Sequence, residues 1–111
     1  MKTLNLLNES YHQKESILEY LKTIKMELME NGISEIGLFG SFAKNSADLY
    51  SDIDIVIKSS PSFSKKFKGI DSFLFLDDLR EKIERKFQRK VDICDASGLK
   101  NRSIIEGAIY A

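Results

Sequence analysis

Apolar residues recur every three or four positions in two long stretches, and this spacing predicts the main helices of the chain. The first helix is expected over residues 10–30, where Ser10 opens a capping-box pattern and Asn31-Gly32 ends the run. The second helix is expected over residues 71–88. Apolar positions near the C-terminus predict a last helix over residues 99–110.

Between these helices the pattern changes to short apolar or alternating runs, which predict three strands. The strands are expected over residues 33–39, 52–58 and 90–95. Residues 41–44 can form one short helix, whereas residues 45–51 and the serine- and lysine-rich residues 59–69 are expected to be loops. The resulting order alternates helices and strands. It predicts a small mixed α/β (α+β) fold, a β-sheet flanked by helices, in a single domain over residues 1–111.

Length and charge narrow the classes of function. With 111 residues, the chain is too short for a catalytic domain plus a substrate domain, so a second domain would come from a partner. Lysine plus arginine and aspartate plus glutamate are equal at 17, so direct nucleic-acid binding is not expected. No apolar run approaches the roughly 20 residues of a membrane span, and the N-terminus is a poor signal peptide, which predicts a cytoplasmic protein without membrane contact.

The single cysteine and the single histidine are weak candidates for chemistry. Cys94 cannot form an internal disulfide, and it lies in a strand-like apolar run, so we interpret it as core filler in a reduced compartment. His12 lies far from it in sequence and is expected on the surface of the first helix. A Cys-His nucleophile is therefore not predicted.

Two aspartates interrupt the second predicted strand. Asp52 and Asp54 alternate with isoleucines, and residues two apart on a strand share a face, so both carboxylates project the same way. The pair would also be explained without any function if this face of the strand were simply exposed to solvent, as is common in antiparallel sheets. Upstream, Gly40-Ser41 ends the first strand and can offer amides and a hydroxyl to a phosphate, although a simple turn with a serine cap has the same residues. Phosphate beside carboxylates requires a divalent cation, so the combination predicts a metal-dependent phosphate site.

The spacing of these residues matches a known signature. Gly40-Ser41, ten intervening residues and Asp52-Ile53-Asp54 form the pattern GSx10DxD. The sequence therefore resembles the minimal nucleotidyltransferase (MNT) branch of the DNA polymerase β-like nucleotidyltransferase superfamily. The C-terminal sequence KVDICDASGLKNRSIIEGAIYA is also similar to the end of these domains. The resemblance extends from residue 33 to residue 110.

The resemblance implies a set of site residues. Asp52, Asp54 and Asp92 would be the catalytic, metal-binding carboxylates, with Asp92 in KVDICD as third ligand and possible base toward the acceptor hydroxyl. Two Mg²⁺ ions and the substrate ATP are implied. Gly40, Ser41 and Lys44 would bind the nucleotide. Asp95 is a poorer third ligand because strand alternation points it away from the face of Asp92.

One departure from the family pattern concerns the turn after Ser41. Lys44-Asn45 stands where these domains have arginine and glycine, which keeps a positive charge but loses the bidentate fork of arginine. Asn45 tolerates a left-handed backbone, so the turn is expected to be intact. Lys65, Lys66 and Lys68 are expected to lie in a solvated loop, with phosphate or partner binding as the alternative.

The resemblance also implies a partner. Similar proteins are antitoxins of HEPN-MNT toxin-antitoxin pairs, in which the MNT protein transfers AMP from ATP to a tyrosine of a HEPN ribonuclease toxin. A hetero-oligomer with the toxin or a homo-oligomer is possible. Two alternatives stay open: an inactive antitoxin that neutralises its toxin by binding alone, and a small-molecule nucleotidyltransferase that needs a second subunit.

Overall fold

The computed structural model describes residues 2–97 and 106–111, with side chains for residues 13–97 and 106–111. Its elements are α1 (Lys2–Glu30), β1 (Ile33–Phe39), α2 (Gly40–Ala43), β2 (Ile53–Ser59), α3 (Pro61–Lys66), α4 (Ile70–Phe87), β3 (Val91–Asp95) and β4 (Ile109–Tyr110). The predicted fold class is confirmed, because helices flank a mixed four-stranded sheet. None of the helices in the described residues is long and apolar enough to cross a membrane.

The sheet has the strand order β3-β2-β1-β4. β1 pairs antiparallel with both β2 and β4, whereas β2 and β3 run parallel. A parallel pair needs a crossover connection, and here α3 and α4 supply it. The parallel register places Ile53 opposite Val91 and Asp54 opposite Asp92. As a result, the first residues of two strands that are far apart in sequence meet at one end of the sheet.

The side chains of β2 point alternately to the two faces of the sheet, and the two faces have different surroundings. Ile53, Ile55 and Ile57 are fully buried in the main core, which they share with apolar residues of α1 and α4. Val56 belongs instead to a smaller cluster with Phe39 and Ala96. The isoleucines therefore face the helices, and Asp54 shares the parity of Val56 on the opposite face.

The first helix begins earlier than predicted. α1 starts at Lys2, so Ser10 lies inside the helix and is not its cap. Residues 2–9 contain neither glycine nor proline, and the helix can continue through a capping-box pattern when nothing before it breaks the run. The predicted surface position of His12 falls on a side chain outside the described ones.

The prediction of a loop over residues 59–69 is wrong in part. Pro61 begins α3 at a position that suits its fixed φ angle and missing N–H. Phe63 is buried and contacts the rings of Phe67 and Phe75, with centroid distances of 5.2 and 5.6 Å. These ring contacts hold α3 against the first half of α4, where Phe75 lies. Lys65 and Lys66 lie in the exposed last turn of α3.

The C-terminal helix prediction is wrong at its end. Ile109–Tyr110 forms β4, with Tyr110 opposite Gly37 and Ile109 opposite Leu38. Gly37 permits this pairing, because a Cβ at that position would lie only 2.9 Å from the Tyr110 Cα. Residues 99–105 of the predicted helix lie outside the described residues.

We expect Phe63→Ala to lower the free energy of unfolding by about 3–5 kcal/mol, because it empties the centre of this aromatic contact. Ser64→Ala on the same helix is the control and should change stability by less than about 0.5 kcal/mol, since its side chain is exposed. Urea unfolding measures both. An equal, small effect of the two variants would contradict the packing of α3.

Candidate active site

Three aspartates lie at one end of the sheet. Asp54 is the second residue of β2, and its neighbours across the sheet are Phe39 on β1 and Asp92 on β3. Asp52 immediately precedes β2. The structure thus brings together the two aspartates of the DxD sequence and the third, which is distant in sequence.

The three carboxylates influence one another electrostatically. The pKa of Asp54 is raised above its ordinary value of 3.8 by burial and, after that, by the negative charges of Asp92 and Asp52. All three influences act in the same direction. Asp54 is half-buried, whereas Asp52 and Asp92 are exposed. Ionisation of Asp54 is therefore unfavourable here, which is a common property of functional carboxylates.

The carboxylates fit a divalent cation in chemistry but are not preassembled around one. Among the described residues, no three acidic, histidine or cysteine side chains stand close enough to hold a metal ion together. Hard cations such as Mg²⁺ prefer oxygen donors, which Asp52, Asp54 and Asp92 supply. The exposed side chains of Asp52 and Asp92 would have to turn toward Asp54 to share an ion.

Gly40 lies directly against Asp54. Its φ angle is +72°, a left-handed value that favours glycine, and a Cβ at this position would overlap Oδ2 of Asp54. The buried side chains of Phe42 and Ala43 hold α2 in the core. Both the backbone angle and the contact therefore require glycine at the end of β1.

The rest of the predicted nucleotide site follows along α2. Ser41 is half-buried next to Gly40, and its carbonyl accepts a hydrogen bond from the Ser46 amide at 2.9 Å. Lys44 is exposed at the far end of α2, and no ion pair within the described residues joins it to the aspartates. Asn45 has a φ angle of 58°, which confirms the predicted left-handed turn.

Asp95 and Cys94 have structural surroundings. Burial raises the pKa of Asp95, but hydrogen bonds from Ser59 and Ser97 outweigh burial and lower that pKa below its ordinary value. Asp95 lies at the opposite end of the parallel β2-β3 pair from Asp92, across from Ile57. Burial and the charge of Asp95 raise the pKa of the Cys94 thiol, which disfavours the thiolate that a nucleophile needs.

A separate groove of about 560 Å³ lies between α1 and the end of α4. Tyr20, Ile53, Phe87 and Arg89 are among the residues that line it. None of the three aspartates does. The groove is therefore not the predicted site, although Arg89 reaches toward the turn before Asp52, a contact that the sequence analysis missed.

The family model described as nucleotidyltransferase domain matches residues 10–110. The chain belongs to this family. A protein adenylyltransferase, MntA, from Thermococcus cleftensis is 32% identical to this chain over 100 residues. The aligned region covers 86% of this chain and 93% of the relative. The resemblance to minimal nucleotidyltransferases is thereby confirmed. This chain is therefore an enzyme that transfers nucleotidyl groups.

The raised pKa of Asp54 predicts a pH-dependent stability difference. A carboxyl group with a higher pKa in the folded than in the unfolded state destabilises the fold once it is ionised, so the cost appears as the pH rises through that window. Asp54→Asn should therefore be more stable than the wild type at pH 7. The difference should disappear at a pH well below 3.8.

Thermal unfolding from acidic to neutral pH measures this difference. Asp78→Asn, on the exposed surface of α4, is the control for loss of one negative charge. If Asp54→Asn were less stable than the wild type at pH 7, the carboxylate would be a stabilising part of the fold, contrary to the proposed electrostatic strain.

Proposed function

We propose that the protein transfers AMP from ATP to a tyrosine of a partner HEPN ribonuclease toxin, and so acts as its antitoxin. The observation that carries this proposal is the grouping of Asp52, Asp54 and Asp92 against the Gly40 turn. The name of the Thermococcus cleftensis relative supports a protein acceptor. The toxin and its tyrosine come from the family resemblance, whereas the proposal of a single cytoplasmic domain over residues 1–111 rests on the length and apolar pattern of the sequence.

In the proposed site, each residue has a role that follows from its position. Asp52, Asp54 and Asp92 would hold Mg²⁺, and the bound ion would supply neutralisation of the charge on the phosphates and on the leaving pyrophosphate. The Gly40 and Ser41 amides and the Ser41 hydroxyl contact phosphate oxygens, and the missing side chain of Gly40 leaves room for the Asp54 carboxylate beside them. Lys44 is exposed at the end of α2, and in this proposal its side chain turns from its position near Gly107 to contact the outer phosphates.

The acceptor side of the proposed reaction belongs to Asp92. Its exposed carboxylate can accept the proton of an approaching tyrosine hydroxyl, whose oxygen forms the new bond to the α-phosphorus as the bond to pyrophosphate breaks. Because Asp52 and Asp92 are both exposed, a side chain on a folded partner can reach them. This exposure suits a protein acceptor better than a small molecule, which would need further walls around it.

A binding-only antitoxin is the second candidate, and two observations favour it. The three carboxylates are not preassembled around one point, and the Cε of Lys44 lies close to the C-terminal turn at Gly107. In this alternative, the protein covers the toxin without modifying it. Chemistry on the toxin distinguishes the two candidates.

The first test is labelling of the toxin. With Mg²⁺ and labelled ATP, the wild type should transfer AMP, and the combined variant Asp52→Asn, Asp54→Asn should lose transfer by at least about a hundredfold, because the metal ligands are gone. Asp78→Asn should retain the wild-type rate. Circular dichroism checks that each variant is folded. Normal labelling by the double variant would exclude these aspartates from the site.

The second test separates an enzyme from a binder. Toxin treated with the protein and ATP should stay inactive after the two are separated, and its mass should rise by whole AMP units. Ser41→Ala should slow this modification by roughly tenfold through the lost phosphate contact, yet leave complex formation unchanged. Separated toxin with unchanged mass and recovered ribonuclease activity would support the binder.

A further inference from the structure

Arg89 lies between α4 and β3 and binds the turn before Asp52. Its Nη1 donates to the carbonyl oxygens of Asp48 and Ser51 at 3.0 and 2.9 Å, and more weakly to Leu49 at 3.5 Å. Each acceptor is a backbone oxygen. A single guanidinium therefore holds the backbone of residues 48–51, which we call the Asp48 turn.

The Asp48 turn also has internal hydrogen bonds. The Asp48 carboxylate accepts from the Tyr50 amide at 2.9 Å and from the Ser51 hydroxyl at 3.2 Å. The Ser51 hydroxyl oxygen in turn accepts from the Asp48 amide at 2.8 Å. These bonds give the turn its shape but do not attach it to the sheet. Arg89 supplies that attachment from a distant part of the sequence.

Asp52 lies between two fixed points. Ser51 is held by Arg89, and the Ile53 amide donates to the Lys90 carbonyl at 2.9 Å, next to Arg89 in sequence. The backbone of Asp52 is thus restrained on both sides, although the residue is exposed and precedes β2. Both restraints come from the segment that leads into Asp92.

Arg89 also contacts the helix that follows Gly40. Its guanidinium carbon lies 5.0 Å from the centre of the Phe42 ring, and Phe42 is completely buried. This contact gives the guanidinium a rigid apolar surface to rest on. The planar fork of arginine can combine this stacking with bonds to several carbonyls, which the point charge of lysine does less well.

We infer that Arg89 is a positioning residue that sets the location of the Asp52 carboxylate relative to Asp54 and Asp92. The inference rests on the proposed role of these aspartates in holding a divalent cation. Because Asp52 has no place in the β2 ladder, its orientation depends on the Asp48 turn, and that turn depends on Arg89. Loss of the guanidinium should weaken cation binding without removing a ligand.

The test compares Arg89→Met and Arg89→Lys with Arg85→Met, a charge-matched control on the exposed end of α4. Mn²⁺ serves as the probe, and its binding to the full chain is followed by electron paramagnetic resonance. Arg89→Met should weaken Mn²⁺ binding by about 10–100-fold, and Arg89→Lys by less. Arg85→Met should bind like the wild type. Amide hydrogen exchange of residues 48–52 should accelerate in Arg89→Met, less so in Arg89→Lys, and not in Arg85→Met.

The Mg²⁺ dependence of AMP transfer, measured on folded variants, separates a role of Arg89 in positioning Asp52 from a general loss of structure. Arg89→Met should need more Mg²⁺ for half-maximal AMP transfer, whereas folded Arg85→Met should not. If Arg89→Met does not fold, Arg89→Lys alone decides by its Mn²⁺ affinity. Unchanged Mn²⁺ affinity in folded Arg89 variants, or no Mn²⁺ binding by the wild type, would overturn the inference. A wild type that binds Mn²⁺ but transfers no AMP would refute the proposed function and leave the inference intact.

Discussion

The parallel pairing of β2 with β3 is the constraint on which the rest of this structure depends. It aligns Asp54 with Asp92, although the two residues lie on opposite sides of α3 and α4 in the sequence. A shift of the register by one residue would turn the side chains of one strand to the other face of the sheet. The isoleucines of β2 prevent such a shift, because their burial beneath the helices specifies the face.

β2 therefore makes two opposing contributions to the stability of the fold. Ile53, Ile55 and Ile57 stabilise the domain by removing apolar surface from water, whereas Asp54 is destabilised by burial and by two like charges. Strain of this kind persists only where the surrounding structure tolerates it. Gly40 adds a second local constraint, since its left-handed backbone lies against the same carboxylate.

Sequence patterns predicted the parts of this structure that depend on local periodicity. β1 and the aspartate-containing strand follow from apolar runs, and the spacing of Gly40-Ser41 to Asp52 indicated the site. α3 was missed because serine and lysine dominate its composition, and only the contacts of Phe63 explain its order. β4 was missed because the apolar pattern of the C-terminus also fits a helix, and pairing with Gly37 is a long-range property.

Arg89 shows the same limit at the level of a single residue. Nothing in its local sequence distinguishes it from the neighbouring basic residues, since its acceptors lie on a turn about 40 positions earlier. Asp92, by contrast, was predicted as a site residue through the family resemblance. Contacts with backbone atoms leave no comparable trace in the partner sequence, because any residue has a carbonyl.

Backbone recognition of the Asp48 turn has a consequence for how this surface can diverge. Arg89 binds carbonyl oxygens, and the side chains of Leu49 and Tyr50 are exposed at 69% and 91%. Those two positions can accept other side chains while the guanidinium keeps its hydrogen bonds. The exposed surface of the Asp48 turn can thus change its side chains at little cost to the backbone beneath it, although Leu49 and Tyr50 lie only three and two residues before Asp52.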